Sequence, residues 1–224
     1  MLAAILVEQN RPLILDQIEL PSTLEPGQVL VKILYSGICG SQIGEIQGVK
    51  GPDKYLPHLL GHEAVGTVED IGPGVREVKK SDLVVLHWRK GQGIDAVPAK
   101  YSWKGKTLNA GQVTTFSEYS VVSENRVTKL TEDIDLKGAS LLGCAVTTGF
   151  GVITNNAKLK IGESLAVIGC GGVGLNVIEG GSLAGAHPIK GIDKVEERLQ
   201  FSKKFGATCT VNTESSNWKD LVGE

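Results

Sequence analysis

The stretch Ser164-Leu-Ala-Val-Ile-Gly-Cys-Gly-Gly-Val-Gly174 decides the fold of the second half of the chain. Residues 164–168 read as a strand. Gly169, Cys170, Gly171, Gly172, Val173 and Gly174 then spell a G-x-G-x-x-G that ends this strand and opens a helix predicted over 173–183. In that context the first glycine allows a tight turn, the second lets backbone reach a pyrophosphate, and the third permits close helix–strand packing. Asp193 closes the next predicted strand (189–193), 19 residues beyond Gly174. A carboxylate there accepts hydrogen bonds from adenosine ribose hydroxyls and repels a 2′-phosphate, which favours NAD over NADP. The plainer alternative is a turn that only packs a helix and an aspartate that only caps the next one. A further helix over 195–205 and a strand over 208–211 complete a βαβαβ unit, the mononucleotide-binding half of a doubly wound α/β fold.

Toward the N-terminus the pattern changes. Up to about residue 135 short alternating runs are separated by glycine and proline turns such as Pro26-Gly27 and Pro73-Gly74, the mark of an all-β domain. Val29, Val31, Ile33 and Tyr35 are expected to share one face of a strand. Residues 64–71, 82–86 and 114–122 read as further strands, and closure into a barrel would remove their exposed edges. Residues 136–142 and 144–155 look helical.

Composition narrows the function classes. The 23 Lys and Arg balance 25 Asp and Glu, so a nucleic-acid binder relying on phosphate neutralisation is not expected. An apolar share of 41% supports a core and argues against disorder. Glycine, at 29 of 224 or about 13% against a usual ~7%, calls for many tight turns or close backbone approaches. No apolar run approaches the roughly 18 to 20 residues of a membrane span, and residues 1–7 read as a first strand rather than a leader. Cys39, Cys144, Cys170 and Cys209 are too sparse for a disulfide framework. Reduced thiols in a cytoplasmic protein are expected, with Cys170 and Cys209 as packing residues.

His62, in Gly61-His62-Glu63, would by itself be a structural histidine more often than a ligand. Cys39, in Gly37-Ile-Cys-Gly-Ser41, and Cys144, in Gly143-Cys-Ala-Val-Thr-Thr-Gly149, change that reading. Two thiolates and one imidazole make a tetrahedral zinc set whose fourth position stays open to water or substrate, which is a catalytic arrangement.

With these motifs in their order and spacing, the chain resembles the zinc-dependent alcohol dehydrogenases of the medium-chain dehydrogenase/reductase superfamily along its whole length. The resemblance implies a GroES-like β-barrel catalytic domain over residues 1–150. A Rossmann NAD-binding domain would begin at 151 and be present only in its first half at 224. It implies that Cys39, His62 and Cys144 hold one catalytic zinc, with Glu63 beside them. Ser41 would pass on the substrate proton, Thr148 would touch the nicotinamide, and Arg198 would lie near the adenosine ribose. Gly169, Gly171, Gly172, Val173, Gly174 and Asp193 would hold NAD. The implied reaction is hydride transfer between a zinc-bound alcohol, aldehyde or ketone and NAD. A homo-oligomer is implied for a full-length protein. The alternative is an inactive remnant that serves as a zinc-binding or interaction module.

Four departures qualify the resemblance. Gln42 stands where many members have an aspartate that orients the zinc histidine, and an amide there is expected to bond the imidazole with less effect on its basicity. Gly44 replaces a histidine that ends the proton relay in some relatives. No cysteine lies between Cys39 and Cys144, so the four-cysteine structural zinc lobe is absent and one zinc per chain is expected. Residues 87–112 instead carry Arg89, Lys90, Lys100, Lys104 and Lys106 with Trp88, Tyr101 and Trp103. These form either a solvated surface loop or a pocket wall or subunit contact suited to an anionic or sugar-like substrate. Finally, a complete dinucleotide fold needs roughly 90 further residues. An unpaired parallel edge is therefore expected, with aggregation or a compensating partner as its consequence.

Overall fold

The computed structural model describes residues 1–131 and 133–215. It divides into two compact units, Met1–Cys144 and Ala145–Glu224.

The first unit is β-rich. Its elements are β1 (Leu2–Leu6), β2 (Ile14–Gln17), β3 (Gln28–Ser36), α1 (Gly40–Ile46), β4 (His58–Leu59), β5 (Ala64–Ile71), β6 (Leu83–Leu86), β7 (Tyr101–Trp103), β8 (Lys106–Leu108), β9 (Tyr119–Ser123), β10 (Val127–Lys129) and α2 (Leu136–Ser140). A five-stranded antiparallel sheet runs β10-β6-β5-β3-β9, a three-stranded one runs β2-β1-β4, and β7 and β8 form a hairpin. The barrel is thus assembled from separate sheets joined by isolated bridges such as Ala3 to Ser117 and Glu19 to Ser102.

Strand β3 shows how alternation builds this unit. Val29 and Val31 are fully buried in one cluster with Val84, Leu86 and Val127, while Leu30 on the opposite face packs against a second cluster around Ile5, Leu59 and Tyr101. Tyr35 does not share the Val29 face. The register skips a residue between Ile33 and Tyr35, and this bulge turns the ring outward, leaving it 40% exposed. The strand expected over 114–122 begins only at Tyr119. Its first residues leave the ladder, with the Thr115 and Phe116 amides donating to the Leu60 carbonyl instead. Asp135 caps α2 by accepting from the Lys137 and Gly138 amides, and a 3-10 turn, Leu141–Gly143, follows it.

The second unit opens with α3 (Ala145–Gly151), which continues into a π-helical stretch over Val152–Ala157 and stops at Lys158 with a left-handed φ of 52°. Then come β11 (Leu165–Ile168), α4 (Gly172–Leu183), β12 (Ile189–Asp193), α5 (Glu196–Ser202) and β13 (Cys209–Asn212). The strands are parallel in the order β11-β12-β13, the expected βαβαβ unit. Ile178, Ile189 and Leu199 lie at the centre of its core, with Cys170 among them. Cys209, expected in the core, is only half-buried. Among the described residues β11 pairs on one side only, and its Ile168 is exposed. No single helix among them is long and apolar enough to cross a membrane.

Candidate metal and dinucleotide sites

The first unit brings Cys39, His62 and Cys144 together from three loops. Cys39 precedes α1, His62 precedes β5, and Cys144 follows the 3-10 turn after α2. Their ligand atoms all lie within 4.8 Å of one another, and the two Sγ atoms are 3.9 Å apart. That separation is far beyond the ~2.05 Å of a disulfide. It matches the edge of about 3.8 Å expected between two thiolates bound at ~2.3 Å to a tetrahedral zinc.

Among the described residues Nε2 of His62 is buried without a hydrogen-bond partner. Burial lowers the pKa of this imidazole, which favours the neutral form a metal requires. A buried orphan nitrogen is costly to fold unless something coordinates it. The residues therefore fit the zinc that their types suggested.

Glu63, 1% exposed, lies at the centre of this assembly. Its carbonyl accepts from the Gly37 amide at 3.0 Å and from Ser36 Oγ at 3.2 Å, which fixes the turn leading to Cys39. On the other side a Cβ on Gly143 would stand 2.2 Å from the Leu86 carbonyl oxygen and 2.8 Å from Glu63 Cβ. Only glycine there lets Cys144 approach the residue after His62. Gly37 and Gly143 thus act as spacers that bring the two cysteines in, a role the bare motif does not announce.

Ser41 is exposed on the first turn of α1 and lines a cavity of about 450 Å³ together with Gln42, Glu45, Asp53 and His62. A neighbouring cavity of about 480 Å³ is walled by Leu60, Gly61, His62, Asn109, Gly111 and Val113.

In the second unit the glycine loop has its expected form. Gly169 has a φ of 94°, and its amide donates to the Ile192 carbonyl at 2.7 Å. A Cβ on Gly171 or Gly172 would meet nothing within 4 Å, so this side of the loop is open. No side chain caps the N-terminus of α4, which leaves its first amides to an anion. Val173 lies in that first turn.

Asp193 is more deeply engaged than the sequence suggested. Its Oδ2 accepts from the Cys170 amide at 2.8 Å and its Oδ1 from the Val195 amide at 2.9 Å. Burial raises its pKa, but these amides and Arg198, whose Nη1 is 3.9 Å away, outweigh it and hold the carboxyl below its usual range. It ties the loop to β12 and caps the next turn, keeping lone pairs for a ribose. Arg198 stands beside it. Cys170 is fully buried, and burial pushes its thiol pKa up, in keeping with a packing role. Thr148 is half-buried on α3, next to Gly149, where a Cβ would collide with Asn176 of α4.

Residues 25–132 match the alcohol dehydrogenase GroES-like domain family. The chain is 34% identical over 98% of its length to a probable S-(hydroxymethyl)glutathione dehydrogenase 1 of Schizosaccharomyces pombe, of which it spans 64%. It is also 34% identical to an alcohol dehydrogenase class-3 of Cereibacter sphaeroides, spanning 62% of that protein. The chain is thus similar to alcohol dehydrogenases along nearly its whole length, and it spans somewhat less than two thirds of these curated relatives. Among solved structures, benzyl alcohol dehydrogenase from Acinetobacter calcoaceticus aligns over 99% of the chain and 66% of its own length, with a TM-score of 0.86 at 26% identity. A protein from Burkholderia ambifaria described as an alcohol dehydrogenase zinc-binding domain protein aligns with a TM-score of 0.88 at 25% identity, over 99% of the chain and 66% of its own length.

Two departures from the family pattern take a different form in the structure. Gln42 is buried and does not bond the imidazole. Its Oε1 accepts from the Gly61 amide and its Nε2 donates to Glu45 Oε2 at 3.3 Å. It therefore positions His62 through the backbone, by holding Gly61 in its left-handed turn at φ 91°. We expect Gln42→Leu to weaken zinc retention by about 10- to 100-fold, the usual cost of losing a partner behind a metal ligand. Competition with a chromophoric chelator measures this, and unchanged affinity would remove Gln42 from the account.

The basic and aromatic segment is partly paired within the unit. Trp103 Nε1 and Lys104 Nζ both reach Asp16 Oδ2, at 2.9 and 3.1 Å, Lys90 pairs with Asp95, and the Tyr101 hydroxyl accepts from the buried Val121 amide. The part of the segment that walls the cavity beside His62 is Asn109, Ala110 and Gly111, not its lysines.

Proposed function

We propose that the chain carries the catalytic and first cofactor-binding parts of a zinc- and NAD-dependent alcohol dehydrogenase. The observation that carries this reading is the cluster of ligand atoms from Cys39, His62 and Cys144 within 4.8 Å, with His62 Nε2 buried and unpartnered among the described residues. Three protein ligands with an open fourth position are a catalytic rather than a structural zinc set. Zinc bound there supplies the charge that lowers the pKa of a coordinated alcohol, and NAD accepts the hydride.

The chain's own residues have separable tasks in this reading. Cys39, His62 and Cys144 hold the metal, and Glu63 fixes the backbone between them. Ser41, exposed in the cavity that His62 lines, takes the hydroxyl proton of the substrate and passes it to solvent, since Gly44 offers no side-chain relay. In the second unit Gly169, Gly171, Gly172, Val173 and Gly174 receive the pyrophosphate, Asp193 and Arg198 the adenosine ribose, and Thr148 the nicotinamide. The resemblance puts the boundary of the two functional segments, 1–150 and 151–224, a few residues beyond the division of the two compact units after Cys144.

The test is NADH formation by the zinc-loaded chain across a panel of primary and secondary alcohols, with NAD binding followed by fluorescence. Turnover that is lost in Cys144→Ser, with NAD preferred to NADP, supports the reading. Folded, zinc-loaded protein with no measurable NAD affinity contradicts it and favours the non-catalytic remnant.

A further inference from the structure

A second group of metal-competent side chains lies in the first unit, sharing no ligand with the Cys39, His62 and Cys144 set. Nε2 of His58 is 2.8 Å from Asp53 Oδ2 and 3.7 Å from Glu45 Oε1. The geometry points to a divalent transition-metal site formed by His58, Asp53 and Glu45.

The decisive observation is what the two nitrogens of His58 face. Nδ1 lies 2.9 Å from the Leu59 carbonyl oxygen, and Nε2 faces a carboxylate. Both neighbours only accept hydrogen bonds. A neutral imidazole that donates through Nδ1 therefore turns a lone pair of Nε2 onto Asp53, inside a site where His58 is only 6% exposed. A positive charge has to sit between them, either a second proton or a metal ion.

Charge balance selects the metal. Among the described residues no lysine or arginine pairs with Glu45 or Asp53, whose ion-pair partner is His58 alone. Asp53 stays ionised: burial opposes this, but the Tyr55 amide and His58 outweigh it and hold its pKa below the usual range. A protonated His58 between two carboxylates leaves a net charge of −1, whereas a divalent ion with neutral His58 leaves none. The Asp53 and His58 side chains are almost fully buried, so the metal is favoured there, while Glu45 is 39% exposed and water offsets part of its charge.

Each ligand is also held from behind, as metal ligands usually are. His58 has the Leu59 carbonyl, Asp53 Oδ1 accepts from the Tyr55 amide at 2.8 Å, and Glu45 Oε2 accepts from Gln42. Gln9 fastens the two segments together. Its Oε1 accepts from the Asp53 amide, and its Nε2 reaches the Glu45 and Gly51 carbonyls. With one imidazole and two carboxylates the site has no thiolate, unlike a four-cysteine zinc lobe, and is hard enough to take Mn²⁺ as well as Zn²⁺. An ion there clamps α1 to the 53–58 loop, and through Gln42 it steadies the Gly61 turn that carries His62. This assignment stands whether or not the chain oxidises alcohols.

The test is Mn²⁺ titration of the chelator-stripped chain followed by electron paramagnetic resonance, because Mn²⁺ discriminates against thiolate sites. One Mn²⁺ per chain is expected, retained in Cys39→Ser/Cys144→Ser. Affinity should fall at least 100-fold in His58→Gln and about 10- to 100-fold in Gln9→Leu. Thiolate-to-cobalt charge transfer in Co²⁺-loaded His58→Gln checks that the fold and the cysteine set survive. Nitrogen-15 spectra of the wild-type imidazoles provide the second measurement. A Nε2 resonance of His58 that loses its proton on Zn²⁺ addition supports the site. His58 protonated at both nitrogens with and without metal, together with no stoichiometric Mn²⁺ binding, overturns it in favour of a proton alone.

Discussion

Replacing Glu124 by alanine is expected to destabilise the first unit by about 3 to 6 kcal/mol, a large part of the 5 to 15 typical of a domain. Glu124 is 1% exposed and accepts three backbone amides: Arg76 at 2.5 Å and Glu77 at 2.8 Å on Oε1, and Ile94 at 2.7 Å on Oε2. Each part-buried amide left unpaired costs roughly 1 to 3 kcal/mol, and the truncation also empties the space against Gly93. The carboxyl pKa is raised by burial and lowered by the Glu77, Arg76 and Ile94 amides, which prevail and set it below 4.5.

The sign of the pH effect follows from that depression. Glu124 contributes fully above its unfolded pKa, and its contribution is lost as pH falls through the lower folded value. Urea melts of wild type and Glu124→Ala between neutral and acidic pH should therefore converge on acidification. A loss under 1 kcal/mol at neutral pH, or a gap that widens in acid, would contradict this.

Gly174→Ala is expected to reduce NAD affinity at least 100-fold and to destabilise the second unit. A Cβ at this position would stand 1.8 Å from the Gly169 carbonyl oxygen, a backbone atom that no rotamer change can move aside. Helix α4 would have to shift away from β11, carrying with it the amides that face a pyrophosphate. Gly172→Ala separates the two consequences, because a Cβ there meets nothing within 4 Å. Its melting temperature should stay near wild type while NAD binding weakens, since the methyl occupies the approach to the helix N-terminus. Calorimetric titration of both variants checks the pair, and equal NAD affinity in Gly174→Ala and wild type would show that the loop does not serve a dinucleotide.

How much of this was readable without coordinates depends on whether the cause was local. The glycine loop, β12 and Asp193 were legible because strand, turn and helix follow one another and each residue type has a local reason. The metal set was legible in residue type, since two cysteines and a histidine have few other uses together. Its assembly was not, because Gly37 and Gly143 act by what they let approach from distant chain, Glu63 and Leu86.

The misreadings share that origin. Tyr35 leaves its predicted face because of a bulge set by pairing with β5, and Thr115 leaves its predicted strand for a bond to Leu60. Gln42 was read against the imidazole, whereas the nearest donor is a backbone amide that only the Gly61 turn presents. The pairing of Lys104 with Asp16, far away in sequence, was likewise not readable. His58 carried a weak signal, a histidine after Pro57 in a loop with one acid, Asp53, but Glu45 and Asp53 converge on it only through Gln9 and α1.

The most direct test of the central claim is the zinc-to-protein ratio of freshly purified chain by elemental mass spectrometry, compared with Cys144→Ser. The account predicts that wild type holds one zinc more per chain than the variant, with both proteins folded. Equal zinc content in the two folded proteins would mean that Cys39, His62 and Cys144 do not form a metal site, and the catalytic reading would fall with it.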